Sequence, residues 1–358
     1  MSVQTSFSFF HSKCLPGSLR ISHWPRPALA VALGLLLAGP WTAVATAAPL
    51  QKKSEPVEAK PAQKKSSGSS SSSSSSKTPA KSPAKPATKP PVKAVPVERD
   101  EEEEEEGGLP RVHAASAILV DASSGRVLHA RNADQQRAVA STQKLMTALL
   151  VAEAGGLDKP VRIEKSDTWA EPSKLYIKEG EVYRRGDLLR ILLVKSMNDV
   201  ARALARDNAG SVEAFARKMN VRAEQLGMNS SHFVNPNGLP AEGQHSTARD
   251  MAKLAAAAYK LRAIREIVCL KEIQWQHPDG RVTEYHNTNR VLASLKQCNG
   301  MKTGYTQAAG FCLVSSASNG RKDVISVVLG DAKPYVWQDS EKLLSWGLGG
   351  SVSTAQNR

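Results

Sequence analysis

Aromatic residues are few. Phe, Trp and Tyr supply 5% of the 358 residues, and the shortage falls in a first third that reads as largely structureless. Cysteine is scarcer, with Cys14, Cys269, Cys298 and Cys312 alone. If Cys14 leaves with an export segment, the remaining odd number allows at most one disulfide with one free thiol. A hairpin alignment that sets Lys302 opposite Cys312 leaves Cys298 several residues further out. A Cys298–Cys312 bridge then requires a bend in the strand, and buried free thiols are the simpler expectation. The eight histidines show no HExxH or related ligand spacing, so neither a metal nor another cofactor is expected. His232 and His245 read as loop or core residues. The tract Glu101 to Glu106 lacks the geometry of a calcium site. The apolar run ALAVALGLLLAG, Ala28 to Gly39, is too short for a comfortable membrane span. No cysteine follows it closely, so lipid attachment has no acceptor thiol.

Acidic residues are outnumbered: Lys and Arg total 48 against 34 Asp and Glu, a formal charge of +14. Residues 108–358 hold 34 basic and 24 acidic residues, so +10 of the excess lies there. Such a balance suits nucleic acid, an anionic membrane surface or an acidic polymer. The first residues narrow the choice. Lys13, Arg20 and Arg26 precede the apolar run, and the small residues Ala45 to Ala48 follow it, which is the order of a secretory signal. Export to the periplasm or cell envelope is expected, with an uncleaved anchor as the alternative, and nucleic acid is not an expected partner. Residues 1–48 are thus a signal peptide or anchor. Residues 49–107, rich in Lys, Pro and Ser and then acidic, cannot bury enough apolar surface to fold. They read as a tether with an r.m.s. reach of roughly 40 Å, either an inert spacer or a basic contact for envelope polyanions. Residues 108–350 form the folded domain and 351–358 a tail.

Within that domain, SAILVDASSGRVLHARN (116–132) alternates apolar and polar residues around Ser123-Ser124-Gly125 and predicts a hairpin. STQKLMTALLVAEAGG predicts a helix with Leu145, Ala148, Leu149 and Ala152 on one face and Gly155 as its stop. GDLLRILLVKS and NDVARALARDNAG predict two helices joined at Ser196-Met197-Asn198. Another helix is capped by Ser211 and ends at Gly227. The loop NPNGLP (235–240) precedes a helix from Thr247, whose Asp250 suits a capping box. The strand carrying Lys302, the strand FCLVSSAS, the turn Asn319-Gly320, the strand DVISVVLGD and a closing helix through Trp346 complete the chain. Strands from both ends with helices between them predict an α+β fold: an antiparallel sheet of about five strands, flanked by helices on both faces.

Three short motifs carry chemistry. In Ser141-Thr142-Gln143-Lys144 a serine and a lysine three apart share a helix face, so the amine reaches the hydroxyl. Ser141 also stands at a predicted helix N-terminus, where free N–H groups favour developing negative charge. The spacing is cheap by itself: Ser74/Lys77 and Ser82/Lys85 repeat it in the tether. Ser196-Met197-Asn198, in a tight interhelical connection, offers a hydroxyl to relay a proton and a carboxamide to hold an amide. Lys302-Thr303-Gly304-Tyr305 places a cation on a glycine-rich strand. A second lysine near Lys144 makes deprotonation of one of them easier, and an ammonium beside the Thr303 hydroxyl suits a carboxylate. Gly304 lets a substrate backbone lie against the strand edge.

Order and context make this set specific. SxxK opens a helix, SxN lies between helices and KTG lies on a strand, which resembles the penicillin-recognising serine enzymes. The stretches ASTQKLMTALL, DLLRILLVKSMNDVARALA, FVNPNGLP, HSTARDMA and GMKTGYTQAAGFCLV resemble the low-mass D-alanyl-D-alanine carboxypeptidases more narrowly, over about residues 113–347. The resemblance implies a β-lactamase/transpeptidase-like fold and peptidoglycan stem peptides ending in D-Ala-D-Ala as substrate, with β-lactams as covalent inhibitors. It also implies roles. Ser141 is the nucleophile, Lys144 the neutral base and Ser196 the proton relay, while Asn198 orients the peptide. Lys302 and Thr303 bind the terminal carboxylate, and the N–H groups of Ser141 and Tyr305 form the oxyanion hole. For Lys144 this requires a pKa lowered from ~10.4 toward ~7–8.

Other functions compete. A class A β-lactamase adds an aspartate inside the second motif, where Met197 stands, and a glutamate after it; Glu171 lies before it instead. A silent penicillin-sensing module fits poorly with a full set of polar groups. A D,D-endopeptidase acting on cross-links is the nearest alternative. Only about a dozen residues follow Trp346, so no second β domain or C-terminal anchor is expected. Asp199 is expected to be a helix cap or a surface charge.

Overall fold

The computed structural model describes residues 108–349. The expected signal or anchor (1–48), the tether (49–107) and the tail (351–358) lie outside the described residues. Strand β1 (Ser116–Asp121) turns back into β2 (Val127–Arg131). Asp121 accepts bonds from both the amides and the hydroxyls of Ser123 and Ser124, which sets that turn. A helical block follows: α1 (Lys144–Ala154), the hairpin β3 (Pro160–Arg162) and β4 (Val182–Arg184), then α2 (Arg185–Lys195), α3 (Asn198–Ala209), α4 (Val212–Gln225), α5 (Ala248–Lys260) and α6 (Arg262–Val268). A second hairpin, β5 (Glu272–Gln276) and β6 (Val282–His286), and the short α7 (Val291–Ser294) lead to β7 (Cys298–Thr306), β8 (Gly310–Ser318), β9 (Asp323–Asp331) and α8 (Tyr335–Gly347). The main sheet is antiparallel with five strands in the order β2-β1-β9-β8-β7. The expected α+β architecture is therefore the observed one, and β7 is an edge.

Period-two alternation sorts the strand side chains into two cores. Ile118, Val120, Val314, Ile325 and Val327 join the helical block, including Leu145 and Leu149 of α1 and Leu188 of α2. Ala117, Leu119, Leu313, Val324 and Val328 face the other way, onto Val336, Leu343 and Leu344 of α8. Helices thus cover both faces. The Ser211 hydroxyl caps α4 by accepting from Ala214 N, and Thr247 caps α5 by accepting from Asp250 N. The Asp250 carboxylate goes instead to Ser230, Ser231 and Lys253, so the expected reciprocal box is only half made.

The β7–β8 register corrects the sequence expectation. Lys302 pairs with Val314, and Cys312 pairs with Gly304. The turn runs from Thr306 to Gly310, where the Thr306 hydroxyl accepts from Ala309 N at 3.1 Å. A slip of two residues leaves every side chain on its original face, so alternation is blind to it; the turn decides. The strand does bend, with a register shift between Cys298 and Gly300, but Cys298 faces Ala317. No 298–312 disulfide forms, and both are buried free thiols.

Candidate active site

Ser141 lies in a single 3₁₀ turn, Ala140–Gln143, and α1 begins only at Lys144. Three residues per turn eclipse positions i and i+3, so the serine and lysine side chains stand over one another. Lys144 Nζ is 2.7 Å from Ser141 Oγ. The turn is squeezed from two sides. A Cβ on Gly238 would sit 2.1 Å from the Ala140 carbonyl oxygen, and one on Gly304 would sit 2.8 Å from Ser141 N. The role expected for Gly304 changes accordingly: its bare Cα admits the backbone of the nucleophile's own turn. Ala140 is held at φ +48° and Ser196 at φ +71°, left-handed conformations that cost side-chain-bearing residues about 1–3 kcal/mol and cluster at functional sites.

Lys144 is fully buried. Its amine has two further partners, Asn198 Oδ1 at 2.7 Å and the Asn237 carbonyl oxygen at 2.6 Å. Burial drives its pKa well below that of an ordinary lysine, the neighbouring Lys302 lowers it further, and Asp199 opposes the shift. A neutral amine has two N–H donors and one lone pair. Asn198 Oδ1 and Asn237 O are pure acceptors that use both donors, which leaves the lone pair for the Ser141 hydroxyl. Ser141 Oγ also lies 3.3 Å from Asn237 O. The NPNGLP loop supplies this carbonyl and is pinned just before it to the 3₁₀ turn and to α1. Gln143 Nε2 donates to Asn235 O, and the Thr147 hydroxyl donates to Pro236 O, each at 2.6 Å. A backbone carbonyl carries no side-chain signature, so nothing in the sequence marks Asn237 O as a partner of the base.

Ser196 ends α2 and Asn198 opens α3. Ser196 is half-buried and is not among the partners of Lys144. Asn198 is buried, and both ends of its carboxamide are engaged: Oδ1 accepts from Lys144, and Nδ2 donates to Pro172 O at 2.6 Å. It therefore orients the Lys144 amine. Asp199 is not a surface charge. It is fully buried, and its carboxylate accepts from the backbone amides of Leu175, Tyr176, Ile177 and Val200. Those amides stabilise the charge, yet burial dominates and raises its pKa. Glu171 is exposed and paired with Lys174 at 2.9 Å.

Lys302 is fully buried on β7 and donates to its neighbour's carbonyl, Thr303 O, at 2.9 Å. Burial brings its pKa down to about 7. Among the described residues no carboxylate forms an ion pair with it. The Thr303 hydroxyl is fixed 2.7 Å from the hydroxyl of Thr288, a partner with no motif to announce it. Tyr305 is exposed at the strand edge, its ring 4.4 Å from that of Phe311. Because β7 packs against the 3₁₀ turn, the structure brings the first and third motifs together. The Lys144–Asn198 bond brings in the second. His232 and His245 bridge one another through backbone bonds. Among the described residues, Glu272, Glu284 and His286 bring metal-type ligand atoms within 4.8 Å of one another, all exposed on the β5–β6 hairpin.

Known proteins resemble this chain in sequence and fold. The D-alanyl-D-alanine carboxypeptidase DacF of Bacillus subtilis is 35% identical over 62% of this chain and 58% of its own length. DacC of Escherichia coli is 39% identical over 67% of this chain and 62% of its own. The chain thus spans less than two thirds of these relatives. A D-alanyl-D-alanine endopeptidase of Escherichia coli is 33% identical over 68% of this chain and 80% of its own length. The structure of a mutant Streptomyces DD-transpeptidase superposes with a TM-score of 0.63 and 30% identity, covering 67% of this chain and 100% of that one. Residues 101–333 match the family described as D-alanyl-D-alanine carboxypeptidase, and with Ser141 on its 3₁₀ turn, Lys144 beside it at the start of α1 and the strand that carries Lys302 packed against that turn, the chain belongs to that family.

Proposed function

We propose that the domain is a serine D-alanyl-D-alanine carboxypeptidase that trims peptidoglycan stem peptides. One observation carries the proposal: a buried amine whose two hydrogens face pure acceptors and whose remaining pair faces Ser141 Oγ at 2.7 Å. Ser141 Oγ attacks the carbonyl of the penultimate D-alanine while its proton passes to Lys144 Nζ. The oxyanion is met by the N–H groups of Ser141 and Tyr305. As the C–N bond breaks, Ser196 relays the proton to the departing D-alanine nitrogen. Water then attacks the Ser141 ester, giving its proton to Lys144; as the ester C–O bond breaks, Lys144 returns that proton to Ser141 Oγ and the shortened peptide leaves. Lys302, buried without a carboxylate partner, receives the terminal carboxylate together with Thr303. β-Lactams, which carry the same carboxylate and a strained amide, acylate Ser141. Fluorescent penicillin should label the wild type and not Ser141→Ala; an unlabelled wild type ends this reading and leaves a silent module.

A second reading is cleavage of D,D cross-links. It is supported by the larger share of the endopeptidase relative that this chain covers, 80% against 62% for DacC. Digests of cross-linked muropeptides separate the two: free D-alanine with intact dimers identifies the carboxypeptidase. The order of basic, apolar and small residues at the N-terminus supports action outside the cytoplasm. There the basic tether would meet anionic envelope polymers, an attachment that should weaken as salt rises.

A further inference from the structure

Tyr176 has the most exposed ring among the large apolar side chains of the described residues, at 72%. It also holds φ +61°, a conformation unfavourable for a bulky residue. Its surroundings enforce this. The consecutive amides of Leu175, Tyr176 and Ile177 all donate to the Asp199 carboxylate, at 3.0, 2.8 and 3.4 Å. Just upstream, Pro172 O accepts from Asn198 Nδ2 at 2.6 Å and Ser173 O from Asn198 N at 2.8 Å. One adjacent pair, Asn198 and Asp199, therefore holds the base with one side chain and fixes the Tyr176 segment with the other. Three hydrogen bonds lead from Ser141 Oγ through Lys144 and Asn198 to Pro172. The segment thus begins within roughly 10 Å of the nucleophile, about three extended residues of peptide. The Lys174 ammonium lies 5.6 Å from the ring centroid, and most of the ring is left to solvent.

A ring in water contributes nothing to the core. We propose that Tyr176 is a substrate-binding residue, whose ring contacts the aliphatic side chain of the residue preceding D-Ala-D-Ala. This rests on the peptidase reading and adds to it a preference for a long apolar stem at that position. The positive φ supplies a clean test, because glycine adopts it without strain and Tyr176→Gly removes the ring while leaving the segment pinned. For acetyl-norleucyl-D-Ala-D-Ala, kcat/KM should fall about tenfold in Tyr176→Gly, equivalent to about 1.4 kcal/mol. For acetyl-glycyl-D-Ala-D-Ala it should change less than twofold, with penicillin acylation and Tm preserved. Tyr176→Phe should restore the norleucyl substrate. Equal losses on both peptides would mean that the segment acts through Asn198, and no loss on either would mean no contact; each overturns the assignment. A loss confined to glycan-bearing muropeptides would also overturn it, in favour of a sugar. If the wild type turns over neither peptide and binds no penicillin, the peptidase reading itself fails and this inference falls with it.

Discussion

Two fully buried lysines have opposite requirements at the residue scale: the proposed mechanism needs Lys144 as an amine and Lys302 as an ammonium. Burial and the neighbouring Lys302 push Lys144 well below an ordinary lysine, whereas burial alone brings Lys302 to about 7. The rate kcat/KM should therefore rise with pH as Lys144 loses its proton and fall as Lys302 loses its own near pH 7. A bound carboxylate stabilises the Lys302 ammonium, so the alkaline limb of kcat should lie higher than that of kcat/KM. Identical alkaline limbs in the two profiles would remove Lys302 as the carboxylate receptor. Lys302→Met should abolish turnover of carboxylate-bearing peptides yet stabilise the fold. The folded pKa of about 7 lies below the ~10.4 of an unfolded lysine. The unfolded chain thus binds more protons between those values, and stability rises with pH across that window. Removing the group relieves a penalty of up to about 4–5 kcal/mol at neutral pH, so a Tm higher by several degrees is the expected result. An unchanged or lower Tm would contradict it.

At the element scale the site depends on two segments approaching one turn without side chains in the way. Gly238→Ala should be the more damaging change, since it forces a Cβ to 2.1 Å from Ala140 O at φ +81°. Gly304→Ala adds a Cβ 2.8 Å from Ser141 N at an unstrained position. It should cut penicillin acylation at least tenfold while lowering Tm by only a few degrees, because the turn must move and the sheet need not. Acylation rates beside thermal melts of both variants check this ordering. Much at this scale was legible in the sequence: strands β1, β2, β7, β8 and β9 and helices α1 to α5 and α8 follow from periodicity and turn residues, whereas the short α6 and α7 went unread. The short hairpins β3–β4 and β5–β6 did not stand out, and the β7–β8 register was misread because a two-residue slip is silent to alternation. Asp199 was misassigned because its amide partners at Leu175 to Ile177 are distant in sequence and carry no side-chain signal. The contributions of Asn237 O and Thr288 were hidden for the same reason. Ser141, Lys144 and Asn198 were recognisable because their chemistry resides in side chains at fixed spacing.

At the scale of the whole molecule, the two cores isolate the thiols of Cys298 and Cys312. Burial raises both Cys298 and Cys312 to about 11, so neither supplies thiolate at neutral pH. Iodoacetamide at pH 8 followed by peptide mass mapping should leave both unmodified in the native protein and alkylate both after denaturation. Modification of either in the native state would show that the sheet opens locally. The sheet order has a temporal corollary. Strand β1, among the first segments of the domain to be synthesised, is bonded to β9, the last strand, while the serine and its amine lie between them in sequence. A ribosome-bound chain arrested before residue 323 already carries SxxK, SxN and KTG but cannot zip the sheet shut. Such a nascent chain should ignore penicillin until its final strand emerges, so that the onset of labelling would date the closing of the sheet.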